Sequence, residues 1–212
     1  QSDGGLIVAI ISNATTIADA GAFSASLGSM VLIKTLTASS SSTLSFVDGS
    51  ASVVLDNTYP IYKFEFINIH GATNSKEITF QGSTDTGSNY GVNITSAAFV
   101  AYHNEAGNSA VLEYGSNSDL AQSTSFQMIS GNAGNGNDES ISGELTLFNP
   151  SSTTFVKHFI GRSNCYNAND YSQDFYVGGY FNTTSAINAF QFKMLSGNID
   201  AGTIKLYGIK DS

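Results

Sequence analysis

Cysteine is almost absent from this sequence. Cys165 is the single cysteine among 212 residues, so the chain cannot form an internal disulfide. A disulfide framework of the kind that stabilises many small extracellular domains is therefore excluded. A reactive thiol needs a nearby base, and no local pattern around Cys165 supplies one. We therefore expect a buried or neutral thiol.

Charged residues are also scarce, at 12% of the chain, and most of them are acidic. With 17 Asp and Glu against 8 Lys and Arg, the net charge is −9. Binding to phosphates needs clustered cations, and the basic residues here are scattered from Lys34 to Lys210, which argues against nucleic acid as a partner. The same charge argues against docking on an anionic membrane. It is compatible with a basic or neutral protein partner.

Long apolar runs are missing too. The run Leu6–Ile11 spans only six residues, which is too short to cross a bilayer. No basic segment precedes it, as one would in a signal peptide. We interpret it as a strand or a docking arm.

What the sequence does contain is aromatic and uncharged polar residues. Hydrophobic residues make up 41% of the chain, with 14 Phe and 10 Tyr, which is enough to fill a continuous core. Surface polarity must then come from Ser, Thr, Asn, Gln and Gly, the residues of turns and strand exteriors. In Tyr62–Ile67 the aromatic residues fall on one face, and Lys63 and Glu65 fall on the other. This two-residue period is typical of a strand that covers a core on one side.

The same signals recur from residue 31 to the C-terminus. Alternation is clear in three further segments, Gly143–Leu147, Ala189–Met194 and Thr203–Tyr207. Clusters of turn residues separate the segments. The other predicted strands are Val31–Thr37, Thr43–Val47, Glu77–Gly82, Ile94–His103, Ala110–Tyr114, Ser125–Ile129, Thr154–Arg162 and Asp174–Tyr180.

These strands predict an all-β protein, since no stretch after residue 31 shows a sustained helical period. Many strands with long Gly- and Asn-rich connections favour a two-sheet Greek-key sandwich of jelly-roll type. A closed up-and-down barrel is the alternative, although its hairpins would be shorter and more regular. Residues 1–30 differ in composition and are predicted to form an N-terminal arm or an extra edge strand, with the sandwich domain over residues 31–212.

Metal-binding patterns are weak. The three histidines, His70, His103 and His158, lie near strand ends without the His-x-His or His-x-x-x-His spacing that favours zinc. The loop Gly131–Glu139 has oxygen ligands that suit Ca²⁺, but it lacks the spacing of a known calcium loop. We interpret this loop as a mobile surface segment, and we expect no cofactor.

Catalytic patterns are weak as well. No Gly-x-Ser-x-Gly elbow occurs. Glycoside hydrolysis needs two carboxyl groups that flank a substrate, and Glu65, Glu144 and Asp174 all lie on predicted strands. Glu65 and Glu144 occupy polar-face positions, however, where solvation is expected. We predict that the chain is not an enzyme.

One tyrosine-rich segment is the first candidate for a ligand site. It holds Tyr166, Tyr171, Tyr176 and Tyr180, interspersed with Asn164, Asn167 and Asn169. Exposed aromatic faces can stack on sugar rings, so these tyrosines are candidate sugar contacts. The alternative interpretation is that they are core and rim aromatics of two adjacent strands.

Five segments of the sequence are similar to segments of a known protein family. They are Ser45–Gly49, Tyr62–His70, Tyr102–Ala106, Ser142–Pro150 and Ser196–Ile209. In that order they resemble a family of virion proteins from tailed phages of aquatic, especially marine, bacteria. The resemblance covers roughly residues 30 to 210 and includes no catalytic signature.

The resemblance implies a jelly-roll-like module on the particle exterior, repeated by symmetry. Members of the family are described as capsid decoration proteins, fibres or tail proteins. The leading hypothesis is therefore a decoration, cement or knob module that binds neighbouring capsid or tail proteins as a homo-oligomer. The absence of a coiled-coil heptad or fibre repeat favours a compact knob over a shaft.

Two alternatives stay open at this point. The first is a receptor- or carbohydrate-binding module at a fibre or spike tip, with a host surface glycan as its ligand. The second is a hydrolase that acts on surface polysaccharide, which the sequence favours least.

Overall fold

The computed structural model describes residues 29–210, together with the backbone of residues 10–12, 15–19 and 22–23. The described residues form strands and loops without a helix, so none of them belongs to a helix that could cross a membrane. The prediction of an all-β chain is confirmed. Residues 6–9 of the predicted run Leu6–Ile11 lie outside the described residues.

Three short strands lie in the N-terminal segment: β1 (Ile10–Ser12), β2 (Thr15–Asp19) and β3 (Ala22–Phe23). They pair with one another in an antiparallel sheet of order β1-β2-β3. The prediction that residues 1–30 form an arm or an extra edge strand stays a prediction, because much of that segment is not described.

The larger of two further antiparallel sheets has eight strands. They are β4 (Met30–Thr37), β6 (Ile61–Gly71), β8 (Ile94–Asn104), β9 (Ala110–Tyr114), β11 (Ile141–Phe148), β12 (Lys157–Asn167), β13 (Tyr171–Phe181) and β15 (Ile199–Ile209). Their spatial order is β4-β15-β6-β11-β12-β13-β8-β9. Strand β4 therefore lies at one edge of this sheet and β9 at the other.

The smaller sheet has four strands: β5 (Leu44–Val47), β7 (Ile78–Ser83), β10 (Gln127–Met128) and β14 (Ala189–Met194). Their order is β10-β7-β14-β5. Apolar side chains from both sheets meet in one core. Two antiparallel sheets around a shared core are consistent with a β-sandwich.

The core is centred on phenylalanine rings that bridge the two sheets. Phe64 of β6 lies 5.1 Å from Phe192 of β14, and Phe80 of β7 lies 5.1 Å from Phe159 of β12, measured between ring centroids. Both pairs are edge-to-face, which is a favoured geometry for aromatic rings. Alternation explains the inward direction of these rings. On β6, for example, Tyr62, Phe64 and Phe66 are buried, while Lys63 and Glu65 point outward.

Polar side chains also point inward from β12, and each has a partner. The Ser163 hydroxyl donates to the carbonyl of Ile129 at 2.7 Å, and the Asn167 amide donates to the carbonyl of Asn132 at 2.8 Å. At the other end of the strand, the buried Lys157 amine donates to two carbonyl oxygens at 3.0 and 3.1 Å. Because a buried polar group is costly when it lacks a hydrogen bond, these partners allow β12 to continue past its apolar part.

The first and last strands of the sandwich are neighbours. Strand β4 pairs with β15 along its length, and the N–H of Lys210 donates to the carbonyl of Ser29 at 2.8 Å. Residues 29 and 210 therefore lie side by side at the same edge of the larger sheet.

Candidate functional site

The outer face of the eight-stranded sheet, which points away from the smaller sheet, carries one continuous line of functional side chains. We call this line the outer row. Cross-strand register aligns its members from β15 to β9 as Lys205, Glu65, Glu144, Arg162, Tyr176, Phe99 and Tyr114. Side chains at such directly paired positions interact across neighbouring strands. The outer row therefore changes from charged on β15, β6, β11 and β12 to aromatic on β13, β8 and β9.

Lys63 lies between the two glutamates of the outer row. Its amine lies 2.6 Å from Glu144 Oε2 and 3.8 Å from Glu65 Oε1. The hydrogen bond to Glu144 raises the pKa of Lys63 above its ordinary value. The two glutamates face each other across β6 and β11, where like charges repel. Lys63 between them offsets this repulsion, together with Lys205 and Arg162 at the paired positions on either side.

At the centre of the outer row, Arg162 and Asp174 form a bidentate ion pair. The Arg162 guanidinium donates to the two carboxylate oxygens of Asp174 at 3.1 and 2.6 Å. The Tyr176 hydroxyl donates to the same carboxylate at 3.0 Å. The hydrogen bond from Arg162 lowers the pKa of Asp174. Because Arg162 is exposed, we expect this pair to contribute little stability and to fix side-chain positions instead.

The aromatic part of the outer row is a stack. The rings of Tyr176 and Phe99 are 4.6 Å apart and nearly parallel, at 9°. Arg162 lies 4.9 Å from the centre of the Tyr176 ring, on the β12 side. Both faces of Tyr176 are thus covered, whereas Phe99 is 45% exposed.

The four tyrosines predicted as sugar contacts do not converge. Alternation places Tyr166, Tyr176 and Tyr180 on the outer face and Tyr171 on the opposite face, where its ring contacts Tyr102 at 5.6 Å. Tyr176 and Tyr180 are four residues apart on β13, which is about 13 Å. The Tyr180 ring lies 6.0 Å from that of His158.

Tyr166 is the fourth of these residues, and its surroundings differ from those of Tyr176. Its hydroxyl donates to Asp170 Oδ1 at 3.3 Å. Burial, together with the nearby charges of Glu105 and Asp170, raises the pKa of Tyr166 to about 12. The prediction that these tyrosines contact a sugar stays a prediction.

Two shallow hollows lie on the outer face beside the outer row. The first has a volume of about 610 Å³ and is lined by Glu65, Ser142, Glu144, Arg162, Asn164 and Asp174 among others. A second hollow of about 490 Å³ lies toward β9 and is lined mainly by Ala101, His103, Ala110, Val111, Leu112 and Asp174. The two hollows share Asp174, so hydrogen-bonding groups at one end continue into an apolar surface at the other.

Phe99, Arg162 and Leu112 were not among the site residues predicted from the sequence. A signal was present for Phe99 and Leu112, because both are large apolar residues in the outward phase of their strands. The pairing of Arg162 with Asp174 had no such signal, because it depends on the register of β12 against β13.

A separate cleft of about 410 Å³ opens on the other side of the larger sheet, near β7, β8 and β9. Glu77, Tyr102, Glu113 and Gln173 contribute to its lining. Burial raises the pKa of Glu77. Cys165 lies close by, with its sulfur 3.6 Å from Gln173 Oε1.

The buried thiol of Cys165 should make the protein sensitive to alkali. The side chain is 1% exposed, and burial raises the pKa of the thiol from 9 to about 12. The unfolded chain therefore loses this proton first as the pH rises. The contribution to stability is fully present below pH 9 and is lost as the pH rises toward 12. At about 1.4 kcal/mol for each pKa unit, it is at most about 4 kcal/mol.

Urea unfolding of the wild type and of Cys165→Ala across this pH range measures the effect. As the pH rises, we expect the free energy of unfolding of the wild type to fall relative to that of Cys165→Ala. Other groups, such as Tyr62, are common to both proteins and cancel in the comparison. A constant difference would show that the thiol ionises freely in the folded chain.

The loop Gly131–Glu139, which the sequence predicts to be a mobile surface segment rather than a calcium site, is closed by its own carboxylate. The Glu139 side chain accepts a hydrogen bond from the N–H of Gly136, and His70 Nε2 lies 3.1 Å from the Gly136 carbonyl oxygen. Asn135 also bonds to Asn74 and to the Ala72 carbonyl. In the part of the chain that the structure describes, no group of three or more His, Cys, Asp and Glu side chains is placed to hold a metal ion.

Comparison with protein families, with characterised proteins and with solved structures finds no match to this chain.

Proposed function

We propose that this chain is a structural module on the exterior of a tailed-phage particle, where it decorates or projects from the capsid or tail and binds neighbouring virion proteins. We further propose that its fold is a jelly roll. One observation carries both statements, and it is the order of the strands in the two larger sheets.

Eight strands of these sheets form the jelly-roll pattern. We number them from first to eighth along the chain: β4, β5, β6, β7, β10, β11, β14 and β15. The larger sheet then contains the first, eighth, third and sixth strands side by side, and the smaller sheet contains the second, seventh, fourth and fifth. Two Greek keys rolled together produce this arrangement. Hairpins β8–β9 and β12–β13 are the remaining strands, and both extend the larger sheet.

The jelly roll supports a virion function because this architecture recurs in viral capsid and lectin domains. The five ordered segments between Ser45 and Ile209 that resemble phage virion proteins support the same assignment. The two added hairpins widen the larger sheet into a broad face with paired charges and exposed rings. A broad polar face suits many weak contacts, and symmetric repetition converts weak contacts into strong attachment.

The test is to locate the chain on particles. An antibody raised against the recombinant chain is applied to intact particles of the phage that encodes it, and the labels are counted by electron microscopy. Dense labelling of the head or tail supports the proposal. A chain that is made during infection but is absent from purified particles would refute it.

A carbohydrate-binding function is the second candidate, favoured by the exposed ring of Phe99 beside the hydrogen-bonding groups of Arg162 and Asp174. Sugar sites combine such a ring with polar groups that fix orientation. If this function is present, Phe99→Ala should weaken glycan binding about tenfold or more on an array.

Phe155→Ala is the matched control for that experiment. Phe155 is 69% exposed in the loop before β12, away from the outer row, so its replacement should leave glycan binding unchanged. Equal losses in the two variants would place the sugar site away from the outer row.

A further inference from the structure

Strand β9 differs from the other edges of the two larger sheets because it is exposed, apolar and regular. All five of its residues are exposed. Leu112 is 72% exposed and Tyr114 is 57% exposed. Among the described residues, β9 has a neighbouring strand on one side only, which is β8. An apolar edge strand of this kind is a template for pairing with another strand.

The other three edges are less suited to pairing. Strand β4 exposes Met30 and Leu32, but its register shifts by a bulge opposite Leu206 and Tyr207, and it carries Lys34. Bulges and lysines are features that protect sheet edges. Strand β10 has two residues and β5 has four, with their apolar side chains turned largely into the core.

Hydrogen bonds show which backbone groups of β9 are free to pair. The N–H of Asn104 donates to the carbonyl of Ser109 at 3.0 Å, and the N–H of Gly115 donates to the carbonyl of Ala98 at 2.9 Å. Residues between these two bonds alternate in direction, so the backbones of Val111 and Glu113 face β8. The N–H and C=O groups of Ala110, Leu112 and Tyr114 consequently point away from the sheet, and of these the Tyr114 carbonyl already accepts a hydrogen bond from the N–H of Ser116 at 3.1 Å.

We infer that β9 pairs with β9 of a second copy of this chain, antiparallel and centred on Leu112, so that the two eight-stranded sheets join into one. This inference rests on the proposed structural function, since a surface module repeated by symmetry needs a contact between copies. The register follows from the free backbone groups. Leu112 lies opposite Leu112, and Ala110 lies opposite Tyr114 of the other chain, which uses all three outward residues in about six hydrogen bonds. Two of these bonds go to the Tyr114 carbonyls, whose second lone pair is available beside the bond from Ser116.

The side chains fit this register. Glu113 faces Val111 of the other chain, so no two like charges are directly opposite, and like charges at such positions would destabilise the pair. On the outer face, Leu112 of each chain meets its counterpart beside Phe99 and Tyr114, which buries the most exposed apolar surface of the edge. The contact is a two-fold one, in which the same patch is used on both copies.

Sedimentation equilibrium of the full chain tests the inference. The wild type should form a reversible dimer, and Leu112→Lys should weaken dimerisation about tenfold or more by placing two lysines opposite each other. Ile160→Lys is the matched control, because Ile160 is 61% exposed on the outer face of β12, away from the edge. Circular dichroism confirms that each variant is folded.

A disulfide test checks the register directly. Paired Cα atoms at the centre of the contact are about 5.5 Å apart, which lies within the range of a disulfide. Leu112→Cys should therefore oxidise to a covalent dimer. Tyr114→Cys should not, because its counterpart is Ala110 of the other chain. The natural Cys165 is buried and does not interfere.

Several results would overturn the inference. The first is a wild type that stays monomeric at all concentrations. The second is a dimer that Ile160→Lys breaks and Leu112→Lys does not. The third is the formation of rings or filaments, which would indicate head-to-tail pairing of β9 with β4. Failure of this inference can be distinguished from failure of the proposed function. A monomeric chain that still labels phage particles would refute this inference alone, and a β9-linked dimer absent from particles would refute the proposed function alone.

Discussion

Replacing Phe80 with alanine should lower the free energy of unfolding by about 3–5 kcal/mol. Phe80 is fully buried. Its ring centre lies 5.1 Å from Phe159, 6.2 Å from Phe181, 6.0 Å from Phe190 and 6.5 Å from Phe192. The variant loses the burial of the ring and leaves a cavity between the sheets that these neighbours cannot fill. Urea unfolding followed by circular dichroism measures the loss.

Phe155→Ala is the control for this experiment. Phe155 is 69% exposed in the loop before β12, so its truncation should change stability by less than about 0.5 kcal/mol. The comparison separates burial from the mere loss of a phenylalanine. Similar losses in the two variants would contradict the placement of the core.

Replacing Gly179 with alanine should destabilise the protein by about 1–3 kcal/mol, although only one methyl group is added. The new Cβ would lie 2.5 Å from the carbonyl oxygen of Thr95 and 2.8 Å from Cζ of Phe159. The first of these atoms belongs to the backbone of β8, which cannot move without disturbing its pairing with β13. Thermal and urea unfolding would both record the change.

The adjacent residue gives a matched control. Gly178 lies on the outer face of the same strand, and its nearest neighbour would be 3.9 Å from an added Cβ. Gly178→Ala should leave stability unchanged or raise it by about 0.5–1 kcal/mol, because glycine in a strand loses more conformational entropy on folding than alanine. Only the substitution at Gly179 is therefore expected to destabilise the protein. Equal destabilisation by both substitutions would show that crowding at Thr95 is not the cause.

Alternation in the sequence predicted most strands well. The predicted segments Ala110–Tyr114 and Ala189–Met194 match β9 and β14 residue for residue. Apolar residues recur every second position in much of the chain, and this period follows directly from the pleat of a strand. The strand content of the sandwich could therefore be predicted before its arrangement was known.

Strand ends were harder to predict where polar residues point inward. The prediction ended one strand at Arg162, whereas β12 continues to Asn167. Its inward residues there include Ser163 and Asn167, which bond to the carbonyls of Ile129 and Asn132. Those partners are more than thirty residues away in the chain, so no local pattern could reveal them.

The candidate site could be predicted only in part, for a related reason. The tyrosine-rich segment does lie on two adjacent strands, β12 and β13, as the alternative interpretation had it. Alternation along β13 separates Tyr171 from Tyr176 and Tyr180, but the neighbours that cover these rings depend on pairing with β8 and β11 as well. The stack of Arg162, Tyr176 and Phe99 joins three strands whose register is set by the whole sheet.

The closeness of residues 29 and 210 has a practical consequence for engineering. A peptide or fluorescent protein fused after the last strand would leave the sandwich next to β4, at the edge farthest from β9. Seven strand-to-strand spacings separate these two edges, or about 34 Å across the sheet. Cargo attached there should leave the β9 edge accessible, and a short linker between residues 210 and 29 should suffice for a circularly permuted form of the sandwich that comprises residues 29–210.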